Sequence, residues 1–275
     1  MTILEQLKQT WVSGQTNTPV LQQQIWDRAA ERYGGLPIPD FETDAFLREL
    51  DRAIFLDKTM RILDIGCGSG VYSMALAPRV AQAVGVDISP NMIACANDRS
   101  QTLGLDNTQF QCLDWAGADI DALGFRGGFD VVFAHMTPAV ADYNTFEKLC
   151  ACSRGLCLME KPARRRDMVQ DEAFRLVGID SREGQDGILQ AFTYLWCMGC
   201  CPQLSYHDEV WDTRRTREDM VAWCTNRAKL HKSLTEAQEK SIRDYVERQA
   251  TGGMVLERTS TTRVTMLWRL STYQK

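Results

Sequence analysis

The sequence predicts a doubly wound α/β fold on a mostly parallel sheet, and three observations predict it. Short apolar runs alternate with helical patterns from Arg61 to about residue 160. The first run leads into an acid and three alternating glycines, Asp64-Ile65-Gly66-Cys67-Gly68-Ser69-Gly70. The second run ends in another acid, Asp87. Strands that alternate with helices form βαβ units, whose crossovers cover both faces of a parallel sheet.

Residues 1–56 read as an N-terminal helical cap. Trp26, Ala30 and Tyr33 recur at helical spacing, Gly34 and Gly35 end that helix, and a second helix is expected over 40–56. Residues 57–275 then carry the α/β domain. Its strands are expected at 62–65, 83–87, 108–113, 130–134 and 155–159, with helices over 71–80, 89–103 and 143–152. Ser89 caps the second of these helices and Pro90 opens it. A late helical insertion is expected at about 167–250, with helices over 167–177, 216–230 and 233–249. Ser233 and Glu236 there have capping-box spacing. The apolar segment 188–200 fits either a helix or a strand. Strands over 204–211 and 261–270 can add an antiparallel hairpin at the sheet edge.

A chain of 275 residues buries enough surface to need no disulfide staple. A net charge of −5 argues against a surface built to neutralise nucleic-acid phosphates. Arg164, Arg165 and Arg166 are the densest basic cluster, expected in a solvated loop or at a helix entrance. The first residues lack the basic and apolar blocks of a secretory signal, and no run of about 18 apolar residues occurs. The ten cysteines are therefore expected as reduced thiols in the cytoplasm. Cys197, Cys200 and Cys201 form a single C-x-x-C pair without a nearby histidine, so no metal site is expected.

The glycine turn carries the chemistry. Glycine reaches positive φ and lets a ligand lie on bare backbone. The dinucleotide fingerprint wants its third glycine where Val71 stands, and it places a pyrophosphate on the helix that follows. Asp64 beside the turn would repel such a group. Asp87, at the tip of the second strand, suits ribose hydroxyls, worth about 1.5–3 kcal/mol to a charged acceptor.

Taken together, residues 26–160 resemble the class I S-adenosylmethionine-dependent methyltransferases with small-molecule acceptors, on a Rossmann-like sheet. The motifs are the glycine turn, Asp87-Ile88-Ser89-Pro90-Asn91-Met92, Asp114-Trp115, Ala134-His135-Met136 and the helix Trp26-Asp27-x-x-Ala30-x-x-Tyr33. The resemblance implies S-adenosyl-L-methionine as cofactor and S-adenosyl-L-homocysteine as product. It runs Gly66, Cys67, Gly68 and Gly70 beneath the cofactor, with Asp64 toward the cationic end of the methionine and Asp87 on the ribose. Ile88, Met92, Asp114 and Trp115 surround adenine in that scheme, Tyr33 lines the site, and Ala134, His135 and Met136 border the transferred methyl group. His135 is the candidate general base, since imidazole titrates near neutrality. An Asn/Asp-Pro-Pro-Tyr motif is missing at the fourth strand, so a small-molecule acceptor and no nucleic acid are expected. Two other readings are a non-catalytic cofactor-binding regulator and an NAD-dependent oxidoreductase.

Overall fold

The computed structural model describes residues 1–13, 19–179 and 187–270. Three helices come first: α1 (Ile3–Thr10), α2 (Pro19–Gly34) and α3 (Ala45–Ala53). The helix expected from residue 40 begins five residues later, because two aspartates compete for the start. Asp40 uses its carboxylate on the Glu42 and Thr43 amides and makes a turn, each at 2.9 Å. Asp44 then accepts from the Leu47 amide at 2.9 Å and caps α3.

The α/β unit follows as β1 (Arg61–Ile65), α4 (Val71–Leu76), β2 (Gln82–Asp87), α5 (Pro90–Thr102), β3 (Thr108–Cys112), β4 (Phe129–His135), α6 (Tyr143–Cys152) and β5 (Ser153–Asp167). α4 passes at Ala77–Arg79 into one 3-10 turn, where Pro78 has no amide to donate. Among the described residues the sheet has seven strands in the order β3-β2-β1-β4-β5-β7-β6, with β6 (Gln203–Thr216) and β7 (Met254–Arg269) last. β1 to β5 pair in parallel. β7 is antiparallel to β5, and β6 is antiparallel to β7. The strand order reverses between β1 and β4, which opens a crevice at their carboxyl ends.

Period-two alternation divides the core between the two sheet faces. Leu63, Ile65, Val132, Ala134, Cys157 and Met159 face one side, with Phe146 of α6 and Trp268 of β7. Ile62, Val131, Phe133, Leu156 and Leu158 face the other and pack on Phe46, Leu47 and Leu50 of α3.

The late region departs most from expectation. The 188–200 segment forms α8 (Ile188–Cys197), and Ala191, Tyr194 and Leu195 join the first core. α7 (Met168–Leu176), α9 (Arg217–Lys229) and α10 (Glu236–Gln249) share a separate apolar cluster that includes Phe174, Met220, Ile242 and Val255. Thr235, not Ser233, caps α10, and its box partner is Gln238. Arg164, Arg165 and Arg166 do stand at a helix entrance, directly before the Asp167 N-cap of α7, but on a strand and not in a loop. β5 runs through them because β7 supplies a ladder partner as far as Asp167, with a bulge between Ala163 and Arg166. Arg164 sits in that bulge at φ 51°.

Trp268 is buried and lies 5.3 Å from Phe146 between ring centroids, fastening the antiparallel strand to α6. Trp268→Ala is expected to destabilise the fold by about 3–5 kcal/mol in urea denaturation.

Candidate active site

The glycine turn begins where β1 ends. Gly66, Gly68 and Gly70 have φ of 71°, 53° and 75°, the left-handed region that strains any residue with a Cβ. A Cβ at Gly66 would overlap the Thr137 side chain, and one at Gly70 would stand 2.7 Å from the Phe110 ring. Gly68 differs: a Cβ there would meet only Met92 Sδ, at 4.0 Å. The crest of the turn therefore leaves bare backbone for a ligand. Gly66 and Cys67 both donate their amides to the Val86 carbonyl, at 2.8 and 3.0 Å. Gly68 N donates to Asp87 Oδ2 and Ser89 N to Asp87 Oδ1, both at 2.9 Å. Asp87 thus spans the turn and the start of α5.

Asp64 is 2 % exposed and accepts from Ser73 Oγ at 2.8 Å. Burial pushes its carboxyl up to about 7, against the Ser73 hydrogen bond and with Asp87 adding repulsion. Burial also raises Asp87, opposed by the Ser89 and Gly68 amides. The Cys67 thiol is raised by burial and by the same two carboxyls.

α2 is latched over this corner. Ser69 Oγ donates to the Tyr33 carbonyl at 2.8 Å, and Ser89 Oγ to Asp27 Oδ1 at 2.5 Å. The Tyr33 ring meets Trp26 edge-on. Ala29 and Ala30 pack on Met92, which is buried between α2 and α5. Ile88 follows Asp87 and is half-buried. Asp114 Oδ1 accepts from the Ala116 amide at 3.1 Å, and the buried Trp115 donates its indole N–H to the Thr145 carbonyl at 3.0 Å. Ala134 is buried in β4, and Met136 takes φ 51° directly after it ends. For a residue other than glycine that conformation costs about 1–3 kcal/mol and tends to mark functional sites. It is held by the Met136 amide, which donates to the Glu160 carbonyl at 2.9 Å.

His135 ends β4 with its side chain 12 % exposed. Its ring lies 3.9 Å from that of Tyr72 on α4 and 4.9 Å from that of Phe46. Its Nε2 stands 3.0 Å from Oε1 of Glu160, a β5 residue that is 1 % exposed. Arg263 Nε approaches the same oxygen at 3.4 Å, and Thr265 Oγ1 donates to Oε2 at 2.5 Å. Burial raises the Glu160 carboxyl, yet His135, Arg263 and Thr265 outweigh it and hold it below the usual carboxylate value. Tyr72 in turn donates to Asp44 Oδ2 at 2.9 Å. Sequence reasoning missed Glu160, Arg263, Thr265 and Tyr72. The one local signal was the doublet Glu160-Lys161, which interrupts the apolar run of β5. His207 and Asp208 lie on β6 at the outer edge; Asp208 accepts from Thr262 Oγ1 at 2.6 Å. All ten cysteines are free thiols, with Cys200 buried and Cys197 and Cys201 exposed.

A glycine turn at the switch point of a parallel sheet, with acids at the tips of β1 and β2, defines a nucleotide- or nucleoside-binding α/β protein. Residues 56–180 match the model of a methyltransferase domain. That stretch, a little under half of the chain, is therefore similar to a methyltransferase domain, on a sheet with the Rossmann-like strand order. Similar solved structures share the fold. Geranyl diphosphate C-methyltransferase from Streptomyces coelicolor A3(2) covers 92 % of this chain and 98 % of its own, at 13 % identity and TM-score 0.50. The MccD protein covers 86 % and 100 %, at 14 % identity and TM-score 0.50. A similar curated protein is the 23S rRNA (uracil(1939)-C(5))-methyltransferase RlmD of Xanthomonas oryzae pv. oryzae, 40 % identical over 70 residues. Another is the 23S rRNA (uracil(747)-C(5))-methyltransferase RlmC of Proteus mirabilis, 39 % identical over 57 residues. Those matches span 26 % and 21 % of this chain, and 16 % and 15 % of the relatives. They overturn the expectation that nucleic acid has no place among the partners. Net charge is a weak guide to that question because it averages over the whole surface, whereas a nucleic acid meets a local patch. No helix among the described residues is long and apolar enough to cross a membrane.

The Asp64 value gives a stability prediction. The folded carboxyl, at about 7, holds its proton above the unfolded 3.8, so its contribution to stability falls as pH rises between them. Asp64→Asn is expected to remove that decline in urea midpoints measured from pH 4 to 7.5.

Proposed function

We propose that the protein transfers a methyl group from S-adenosyl-L-methionine to an acceptor seated beyond the carboxyl ends of β4 and β5. One observation carries this reading: the bare crest at Gly68 lies between two acids, Asp64 and Asp87, where a pyrophosphate would be repelled. A nucleoside bearing cations and no phosphate suits that charge, which disfavours a nicotinamide dinucleotide. When bound, the cofactor supplies an activated methyl group on a sulfonium.

In this reading the turn supports the methionine and ribose portions, and Asp64 faces the cationic end. Asp87 turns toward the ribose while keeping its backbone amides. Ile88, Met92, Asp114 and Trp115 belong to the adenine side. Tyr33 and the rest of α2 cover the pocket. Alignment of the acceptor is the protein's main task and contributes roughly 7–11 kcal/mol in well-oriented systems. His135 takes the acceptor's proton if one must leave, and Glu160 fixes the imidazole and balances its charge. The free thiols suit a reducing cytoplasm.

The acceptor has two readings. A small molecule is supported by α2, which packs on α5 and touches α9, narrowing the approach to the turn. An RNA base is supported by the rRNA methyltransferase relatives. Tritiated cofactor offered with 23S rRNA and with a panel of small acids, amines and phenols separates them. Label in the RNA fraction alone would sink the first reading.

Three outcomes test the site itself. Calorimetry is expected to show binding of S-adenosyl-L-homocysteine and none of NADH, with Asp87→Ala weakening the former at least about tenfold. An ammonium brought to Asp64 near pH 7 expels its proton, so the binding enthalpy is expected to depend on the buffer's ionisation enthalpy, and Asp64→Asn to abolish that dependence. With an acceptor in hand, His135→Ala is expected to lower kcat by about 10²–10⁴ and to leave cofactor affinity unchanged. Equal losses of both would remove His135 from the proton-transfer role.

A further inference from the structure

Alternate residues of β7 project to one sheet face, and that face changes neighbours along its length. Val255 belongs to the α7, α9 and α10 cluster, Leu267 packs with the α3 cluster, and Arg263 and Thr265 lie between them against Glu160. Arg215 of β6 pairs with Val255 across the ladder, so it projects to the same face.

Arg215 is out of balance there. Its Nε is shielded from solvent and has no hydrogen-bond partner among the described residues. Its guanidinium lies over the Trp223 ring at 4.3 Å, and Trp223 is fixed by an indole hydrogen bond to Gln170 Oε1 at 2.8 Å. The neighbouring charge is of the same sign: burial first, and then Arg32 of α2, lower Arg215 to about 10. Arg32 itself lies over the Tyr33 ring at 5.3 Å, on a helix that touches α9. Glu257 is the acid that attracts Arg215, but its two oxygens already accept from the Val169 and Gln170 amides at 2.7 and 3.1 Å. Among the described residues neither guanidinium makes an ion pair. One residue along from Arg32, the Tyr33 carbonyl is bonded to Ser69 of the glycine turn. The helix that carries Arg32 is therefore the one fastened to the glycine turn.

We propose that Arg215 and Arg32 together hold an anionic group, a carboxylate or phosphate, of the methyl acceptor. The inference rests on reading the glycine turn as the cofactor site. A guanidinium presents a rigid fork of donors that matches either anion, and an aromatic ring beneath it keeps the fork in place. The arrangement places the anion at the α2–α9 junction and leaves the Glu160–Arg263 end of the face for the reacting part of the acceptor.

The test titrates inorganic pyrophosphate into protein saturated with S-adenosyl-L-homocysteine. Binding is expected, weakened at least about tenfold by Arg215→Gln and by Arg32→Gln, with the homocysteine derivative bound as in the parent. Arg32 is exposed on its helix, so that variant keeps the test readable if Arg215→Gln fails to fold. Pyrophosphate that does not bind, that competes with S-adenosyl-L-homocysteine, or that binds both variants as it binds the parent overturns the proposal. Arginine-dependent pyrophosphate binding in a protein that ignores S-adenosyl-L-homocysteine would sink the cofactor assignment and spare the anion site. Repeating the titration with an oligouridylate names the source. Arginine-dependent binding of the oligomer assigns the anion to an RNA backbone, and binding of pyrophosphate alone assigns it to a small acid.

Discussion

The interlock of three strand ends around one left-handed turn is what the rest of the structure depends on. Gly66 and Cys67 hang from the Val86 carbonyl, Gly68 from Asp87, and Thr137 fills the space that a side chain at Gly66 would need. The tips of β1 and β2 and the segment after β4 are fixed relative to one another before any helix is added. Only glycine permits the turn twice over, once for its dihedral angle and once for the approach of a neighbour. α2 then depends on the turn through Ser69 and on the start of α5 through Ser89.

Charge is arranged in two zones around this corner. Asp64 and Asp87 are acids whose carboxyls burial raises, and a cation placed beside them would favour their ionised forms. Beyond β4 the sense reverses: Glu160 is held ionised by His135, Arg263 and Thr265 despite its burial. Under the proposed methyl transfer, a sulfonium would meet the first zone and a proton-releasing acceptor the second.

What was legible in the sequence was local. The glycine turn, Asp87 with Ser89-Pro90, and the α2 pattern each lie within one short stretch, and their spacing follows from backbone geometry. Glu160 and Thr265 are separated by 105 residues, and an antiparallel strand brings them together. No periodicity reports such a pairing. The errors at helix starts have another cause: Asp40 and Asp44, like Ser233 and Thr235, are equivalent capping types, and the geometry of the preceding chain chooses between them. The three consecutive arginines looked like solvent-facing loop because a strand built on them needs a partner, and that partner lies almost a hundred residues downstream in β7.

β7 runs for 16 residues, roughly 50 Å when extended, and its buried face serves two apolar clusters in succession. A single ladder thus acts as a spine beneath both the parallel sheet and the late helical layer. Bending one against the other would break strand hydrogen bonds, so that seam is stiff. α2 has no such attachment: a handful of side-chain bonds and small-residue contacts hold it down. A ligand at the glycine turn would thus meet one wall, α2, that yields more readily than the other, with the carboxyl-terminal half as its fixed abutment.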